Sequence, residues 1–485
     1  MQDMVCHAWN QFWQAPDVVT NEAAEFIRNL SDCPSCPFQD FNVDAWRKCI
    51  KGVKVKSARG ACGFSMKDVQ RMPETSMQWL FQIYRAAENG MPWPDRTSLA
   101  RVVMLAKPGE DNHRPLSVRP ITIVSVLYRL WSRYRSLQVI KHLGNIVPAS
   151  RLSADCLTAL VCDVLEEAHY TGNHKCGLVI DLQKCFNLIP RTTLALLMEK
   201  LQIPLQYVNA HQGMLKGLRR LVEIAGQIGQ EQPSSCGVPE GCAFSVVSMI
   251  VMTVLVAEVM ACQQQGIQVV MFADNWGIIA TSVQLLEDAI RRLETLVESL
   301  GMRISPDKSW LWGTSTKIRK QLASVKLCGK PVCVRLSARD LGCDVSYSKK
   351  KCKATVKKRL CKAVATLQRV KMRKLPRAFK GKMCATLGAG IAGYGSELQK
   401  HTKQESHRLR AATAEALGLY KSGANAWLSI NVTGQFCDPQ LQLVKRKIKF
   451  YRKFLKSFPD RKEGFLNRLV HRRSEERRVG KECRS

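Results

Sequence analysis

Acidic side chains are scarce in this chain of 485 residues: 40 Asp and Glu stand against 74 Lys and Arg, a formal charge of +34. Folding does not require such an excess, so it predicts a polyanionic partner, nucleic acid before an acidic membrane surface. Glycine is sparse as well, at 30 residues, which excludes a collagen-like fibre. The N-terminus, MQDMVCHAWNQ, lacks a basic stretch followed by an apolar core, so no secretory leader is expected. The longest apolar run, Cys242 to Ala257, is interrupted by Ser245, Ser248 and Thr253 and ends at Glu258. It falls short of the roughly 20 residues a bilayer span needs, reads as a buried helix, and leaves no membrane partner expected. Only Cys33 and Cys36 have zinc-ligand spacing, with Cys49 further on and no second pair to complete a site. The 20 dispersed cysteines are therefore read as reduced thiols of an intracellular protein, cytoplasmic or nuclear. No internal repeat occurs.

What is present is a chain 46% apolar and 24% charged, the balance of a globular protein with a sizeable core. Its length allows about three modules. Residues 1–50 read as a helical lead, with Trp9 and Trp13 on one face, ending in the break DCPSCPFQD. Residues 51–345 hold a glycine-containing loop at 58–63, a helix near 75–89 and a strand over Arg101–Leu105. From 146 onward, strands and helices alternate, as in a mixed sheet domain. After Asp344 the composition changes: Lys349 to Lys382 carries fifteen Lys or Arg and no acid. Val356, Leu360, Val364, Leu367 and Val370 recur there at helical steps, which predicts one amphipathic helix over 349–382 with a packed face and a basic face. Fifteen cations without a carboxylate favour phosphate contact over a merely solvated surface. The helical basic region is set at 346–435 and a second basic segment, around Lys445-Arg446-Lys447, at 436–472. Residues 473–485 (RSEERRVGKECRS) look like a translated sequencing adaptor, so a fragment of a longer reading frame is expected. Without those residues the charge is still 34 − 2 = +32.

Several segments carry chemistry. Gly177-Leu178-Val179-Ile180-Asp181 is an apolar run ending in a carboxylate at a sheet edge, with Phe186 five residues on. Val269 to Ala280 places Asp274 at the tip of a β-hairpin, between Ala273 and Asn275. Either acid alone has a plain structural reading, a helix N-cap or a turn residue. Between them, Gly237-Val238-Pro239-Glu240-Gly241 lets backbone approach a flat ligand closely. Lys107-Pro108-Gly109, Arg114 and Arg119-Pro120 put cations on a hairpin or loop upstream. Downstream, Lys308 follows a turn and Leu341-Gly342 follows a strand.

In this order, from about Lys56 to Gly342, the segments resemble the reverse transcriptase family, in the form carried by non-long-terminal-repeat (LINE-type) retrotransposons. Tyr394-Gly395-Ser396-Glu397 is similar to a segment that follows the polymerase in such elements. The resemblance implies an α+β right-hand polymerase of fingers, palm and thumb, with an antiparallel palm sheet and a helical thumb. It implies an RNA-directed DNA polymerase working on an RNA template, a DNA primer and deoxynucleoside triphosphates. Asp181 and Asp274 would hold two Mg²⁺ ions, Mn²⁺ being the alternative, with Asn275 as a further ligand. Lys308 would protonate the departing pyrophosphate, completing a catalytic set of Asp181, Asp274 and Lys308. Lys107 and Arg119 would meet the triphosphate, Phe186 would stack under the sugar and exclude a 2′-hydroxyl, and Gly237 to Gly241 would line the cleft. The basic helix would be thumb.

Several positions depart from the family pattern. Asn275 stands where the family has Asp, Asn187 where Asp is common, Glu240 where Gln is usual and Ala243 where Pro is usual. An Asp-Asn pair also serves polymerases of negative-strand RNA viruses, and an amide oxygen can bind a metal. Two readings therefore stay open: an active polymerase, or a catalytically silent nucleic-acid-binding module that keeps the fold. An RNA-dependent RNA polymerase is a third, opposed by Phe186 as sugar gate. No endonuclease-like segment precedes the polymerase motifs, which again leads to the expectation of a fragment.

Overall fold

The computed structural model describes residues 2–107, 114–146, 154–261, 265–350, 352–398, 401–419, 425–431 and 437–468. Pro108, Gly109 and the adaptor-like stretch 473–485 lie outside the described residues. Contacts divide the chain into two units. The first comprises Met1–Arg151, Leu178–Trp310 and Val325–Val332; the second comprises Leu152–Gly177, Leu311–Ser324 and Cys333–Ser485. The composition change after Asp344 does not mark this division. The second unit also draws in two earlier segments through long-range packing, which local composition does not report.

The chain mixes helices with antiparallel sheet, an α+β arrangement. Seven strands frame the region of interest: β1 (Leu99–Leu105), β2 (Arg119–Ile123), β3 (Cys176–Asp181), β4 (Arg219–Ile224), β5 (Gln227–Pro233), β6 (Ile267–Phe272) and β7 (Asn275–Ala280). One sheet has the order β2-β1-β4-β5, and in a second sheet β6, β7 and β3 lie side by side in that order. β1 and β2 are antiparallel, with Leu105 opposite Arg119, whereas β1 and β4 are parallel. β6 and β7 form the expected hairpin: Phe272 pairs with Asn275 across a two-residue turn, and Ala273 adopts the left-handed region at φ 52°.

Nine aromatic residues of the first unit gather into one cluster. Phe41, Trp46, Phe81, Tyr84 and Tyr134 pack ring on ring, and Trp93, Tyr128, Trp131 and Phe244 continue the cluster. The cluster encloses an ion pair. Arg135, wholly buried, donates from Nε and Nη2 to Glu88 at 2.6 and 2.9 Å, and its guanidinium lies 4.0 Å from the Phe41 ring centre. The bidentate geometry and the Trp131 indole, which also donates to Glu88 at 2.8 Å, satisfy charges that would otherwise be costly to bury. The apolar helix runs Ala243–Ala261, 19 residues, past Glu258 where the sequence run was expected to stop. Glu258 sits near its C-terminal end, so a single charge does not end the helix. It is long and apolar enough to span a bilayer by composition, but 61% of its Ala243–Met260 window is buried inside the protein, as a core helix would be.

In the second unit, the predicted basic helix is two helices, Ala354–Lys371 and Arg377–Met383. Pro376 is the reason: it lacks the N–H that would continue the ladder, and it sits as N-cap of the second helix. The first helix begins only at Ala354, where the Asp344 carboxylate accepts from the N–H groups of Thr355 at 2.8 Å and Val356 at 3.3 Å. Val356, Leu360, Val364, Leu367 and Val370 are all buried, as their spacing predicts, and the last four pack with Leu409, Ile430 and Leu443 in one core. Not all fifteen cations of this stretch face water. Arg359, partly buried, donates to the Tyr394 carbonyl at 2.9 Å. Glu397 is buried against Arg446.

Candidate active site

Every residue of β3 up to Ile180 is buried, and Asp181 is the first to reach the surface, its side chain 37% exposed. Asp274 is the second residue of the β6–β7 turn, and β7 runs beside β3. Gly277 lies against the Leu178 carbonyl, three residues short of Asp181 on one strand and three beyond Asp274 on the other. The two acids therefore share a cleft although 93 positions separate them. Burial pushes the Asp181 carboxyl above its ordinary range; Lys308 opposes that, the like charge of Asp274 adds to it, and Lys107 opposes it again. Cys185 lies beneath, its thiol pushed up first by burial and then by Asp274, Asp181 and Glu240. Three carboxylates thus act on one buried sulfur.

Lys308 reaches this cleft through backbone ties. Ser305 N–H donates to the Asp181 carbonyl at 2.9 Å, and Asp181 N–H donates to the Ser309 hydroxyl at 3.3 Å. Between those two serines, Lys308 places its ammonium 3.7 Å from the Asp181 carboxylate. Lys308 is 65% exposed, so the pair is weak as a stabilising contact and remains open to a ligand. Arg119 begins β2 and is exposed; burial raises the Glu240 carboxyl above its ordinary range, opposed in part by the hydrogen bond from Asn187 and by the charges of Arg220, Arg119 and Lys184. Phe186 is half-buried in the short helix Cys185–Leu188, and its carbonyl accepts from Val238 N–H at 2.7 Å. Asn275 opens β7 and is partly buried.

The two glycines of the intervening loop differ. Gly237, at φ 76°, packs on the backbone of Asn187, where an added Cβ would come 2.6 Å from the carbonyl oxygen. It holds the loop against the Phe186 helix, a packing task. Gly241, at φ 90°, is exposed, and the nearest atom to an added Cβ is the Thr122 carbonyl oxygen at 3.7 Å.

Three residues at this site escaped the sequence reading. Arg191, buried, donates to the carbonyls of Gly237, Leu215, Ser234 and Cys236 and so ties the loop together; burial lowers its pKa to about 10. Arg220 has no exposed surface, bonds Thr122 and Ser234, and is brought by burial to about 9. Trp13 donates its indole N–H to Asn187 at 2.9 Å. The four-residue spacing of Trp9 and Trp13 signalled a buried face, but nothing in the sequence names what that face covers.

The donor set suits a hard dication. Asp181 and Asp274 offer carboxylate oxygen, and Asn275 adds an amide carbonyl. Among the described residues no group of three or more His, Cys, Asp or Glu gathers as a metal cluster, so these two carboxylates are the anionic part of the set. An Asp181 carboxyl raised by burial and by a second carboxylate is short of positive charge, which Mg²⁺ would supply.

Residues 106–322 match the family described as reverse transcriptase (RNA-dependent DNA polymerase), a span shorter at both ends than the stretch carrying the motifs. The chain is 23% identical over 240 residues to the probable RNA-directed DNA polymerase from transposon BS of Drosophila melanogaster. It is 22% identical over 218 residues to the probable RNA-directed DNA polymerase from transposon X-element of the same organism. These alignments take in 46% and 43% of this chain but only 25% and 24% of the relatives, so the chain spans about a quarter of the length of the proteins it matches. By that match residues 106–322 form a reverse transcriptase domain, similar over this stretch to the two transposon polymerases.

Proposed function

We propose that this chain is an RNA-directed DNA polymerase that extends a DNA primer on an RNA template. The observation carrying the proposal is the shared cleft of Asp181 and Asp274, with Lys308 and Lys107 acting on the same carboxylate. The first unit supplies fingers and palm, and the helices after Asp344 a thumb. Asp181, Asp274 and the Asn275 side-chain carbonyl would hold Mg²⁺, which would supply the charge that acidifies a primer 3′-hydroxyl and neutralises the triphosphate. Arg119 bonds two phosphate oxygens at once, and Lys107 adds a second cation. Phe186 closes the space beneath the sugar; an apolar ring offers a 2′-hydroxyl no partner, which selects deoxynucleotides. Lys308, exposed at its ammonium, delivers a proton to the departing pyrophosphate. Of the basic stretch, Lys357, Lys358, Lys362, Arg369, Arg373, Lys374, Arg377 and Lys382 are exposed, which supports backbone contact without base reading.

The test is primer extension on an RNA template with Mg²⁺ or Mn²⁺, set beside Asp181→Ala. Template-dependent incorporation that the variant loses is the expected result. Incorporation no greater than the variant's refutes the proposal. Retained template–primer binding in that preparation would then favour the silent nucleic-acid-binding module, the reading that Asn275 in place of an acid keeps in view.

A further inference from the structure

Two of the departures from the family pattern, Asn187 and Glu240, are bonded to each other. Asn187 Nδ2 donates to Glu240 Oε1 at 2.8 Å. A third residue sets the sense of that bond. The indole N–H of Trp13, on the helix Gln2–Trp13, donates to Asn187 Oδ1 at 2.9 Å in a buried contact. With its oxygen engaged by a donor, Asn187 has only its NH₂ to turn toward Glu240, so Glu240 must accept. The same tryptophan steers the loop that carries Glu240, because its backbone carbonyl accepts from Ser235 N–H at 2.8 Å and Cys236 N–H at 2.9 Å. Its ring lies 4.9 Å from the Arg220 guanidinium, whose Nη2 has no hydrogen-bond partner and whose charge acts on Glu240. All of these groups belong to the first unit.

We infer that Trp13 and Asn187 are positioning residues that fix Glu240 as a hydrogen-bond acceptor at the nucleotide pocket, so that the amino-terminal helix is part of that pocket's support. The inference rests on the polymerase reading. It treats the Asn187 and Glu240 exchange as a compensated pair: an acid at 187 with an amide at 240 makes the same bond with donor and acceptor reversed, and still leaves an oxygen for Trp13.

The test is a substitution cycle read by single-nucleotide extension. Asn187→Asp sets two carboxylates face to face and is expected to raise the KM for the incoming nucleotide about tenfold, the loss of one buried hydrogen bond. Trp13→Phe keeps the ring but removes the N–H, and is expected to raise KM by a similar factor while kcat changes less than about threefold. Adding Glu240→Gln to Asn187→Asp restores the pair and is expected to return KM to within about threefold of the unmodified chain. A double variant no better than Asn187→Asp alone overturns the inference, as does a Trp13→Phe chain with unchanged KM. If the unmodified chain extends no primer, the polymerase reading fails. The relay is then judged by nucleotide binding to the chain with a dideoxy-ended primer, where the same rescue supports it and independent effects overturn it.

Discussion

Acid should destabilise this protein in part through a histidine buried in its neutral form. His211, wholly buried, is hydrogen-bonded at Nδ1 to the Tyr128 hydroxyl at 2.7 Å, and its ring centre lies 4.7 Å from that of Phe244. Burial, with a smaller push from Arg191, lowers its pKa from 6.5 to about 3. The native ring therefore stays neutral while the unfolded chain takes up a proton near the ordinary value. Its contribution to stability is complete above about pH 6.5 and is lost as pH falls from there toward about 3. At pH 5 the loss from this residue is about 2 kcal/mol, and over the whole window about 5 kcal/mol. His211→Leu isolates the effect, because every other titrating group is common to both chains. At neutral pH the variant should be less stable by about 1–3 kcal/mol, since the Tyr128 hydroxyl loses its partner. Between pH 7.5 and 5, however, it should lose about 2 kcal/mol less than the unmodified chain. Urea unfolding followed by tryptophan fluorescence reads this as a midpoint difference that narrows or reverses by roughly 1 M. Two curves that run parallel from pH 7.5 to 5 would refute the reasoning.

Two further outcomes follow from the geometry. Gly237→Ala should cost about 1–3 kcal/mol and most of the extension activity, because its Cβ would overlap the Asn187 backbone; Gly241→Ala, with open space around it, should cost about 1 kcal/mol. Thermal unfolding and extension rates check both, and equal effects at the two glycines would contradict the packing argument. Template–primer affinity should fall steeply with salt, by about 0.9 log units per log salt for each phosphate neutralised on a B-form duplex. Replacing the exposed Lys362 and Arg369 by Ala should lower that slope by about 2, and an unchanged slope would mean that those side chains are only solvated.

Much of the site was legible in the residues because its chemistry uses local patterns. An apolar strand ending in Asp181, a hairpin tip at Asp274 and a glycine-bounded loop before an apolar helix are each set by backbone propensity within a few residues. The stripe from Val356 to Val370 predicted the buried face correctly, because helical periodicity is a local property. The charge run goes on to Lys382, but the helix stops at Lys371, because Pro376 cannot continue the ladder. The position of the amino-terminal helix was not legible. Trp13 meets Asn187 across 174 positions, and Arg220 meets Thr122 across 98. Such bonds depend on which surfaces fold against each other, and one sequence carries no trace of that choice.

The sequence alone therefore determined the charge excess, the order of the motifs and the places of Asp181 and Asp274 at a strand end and a hairpin tip, since composition and short-range pattern suffice for these. Tertiary structure decided that Asp181 and Asp274 share a cleft with Lys308, that Asn187 and Glu240 are partners, and that buried arginines hold the loop between the acids. These are matters of distance in space, and they arise only when desolvated groups must find their hydrogen-bond partners within the folded interior.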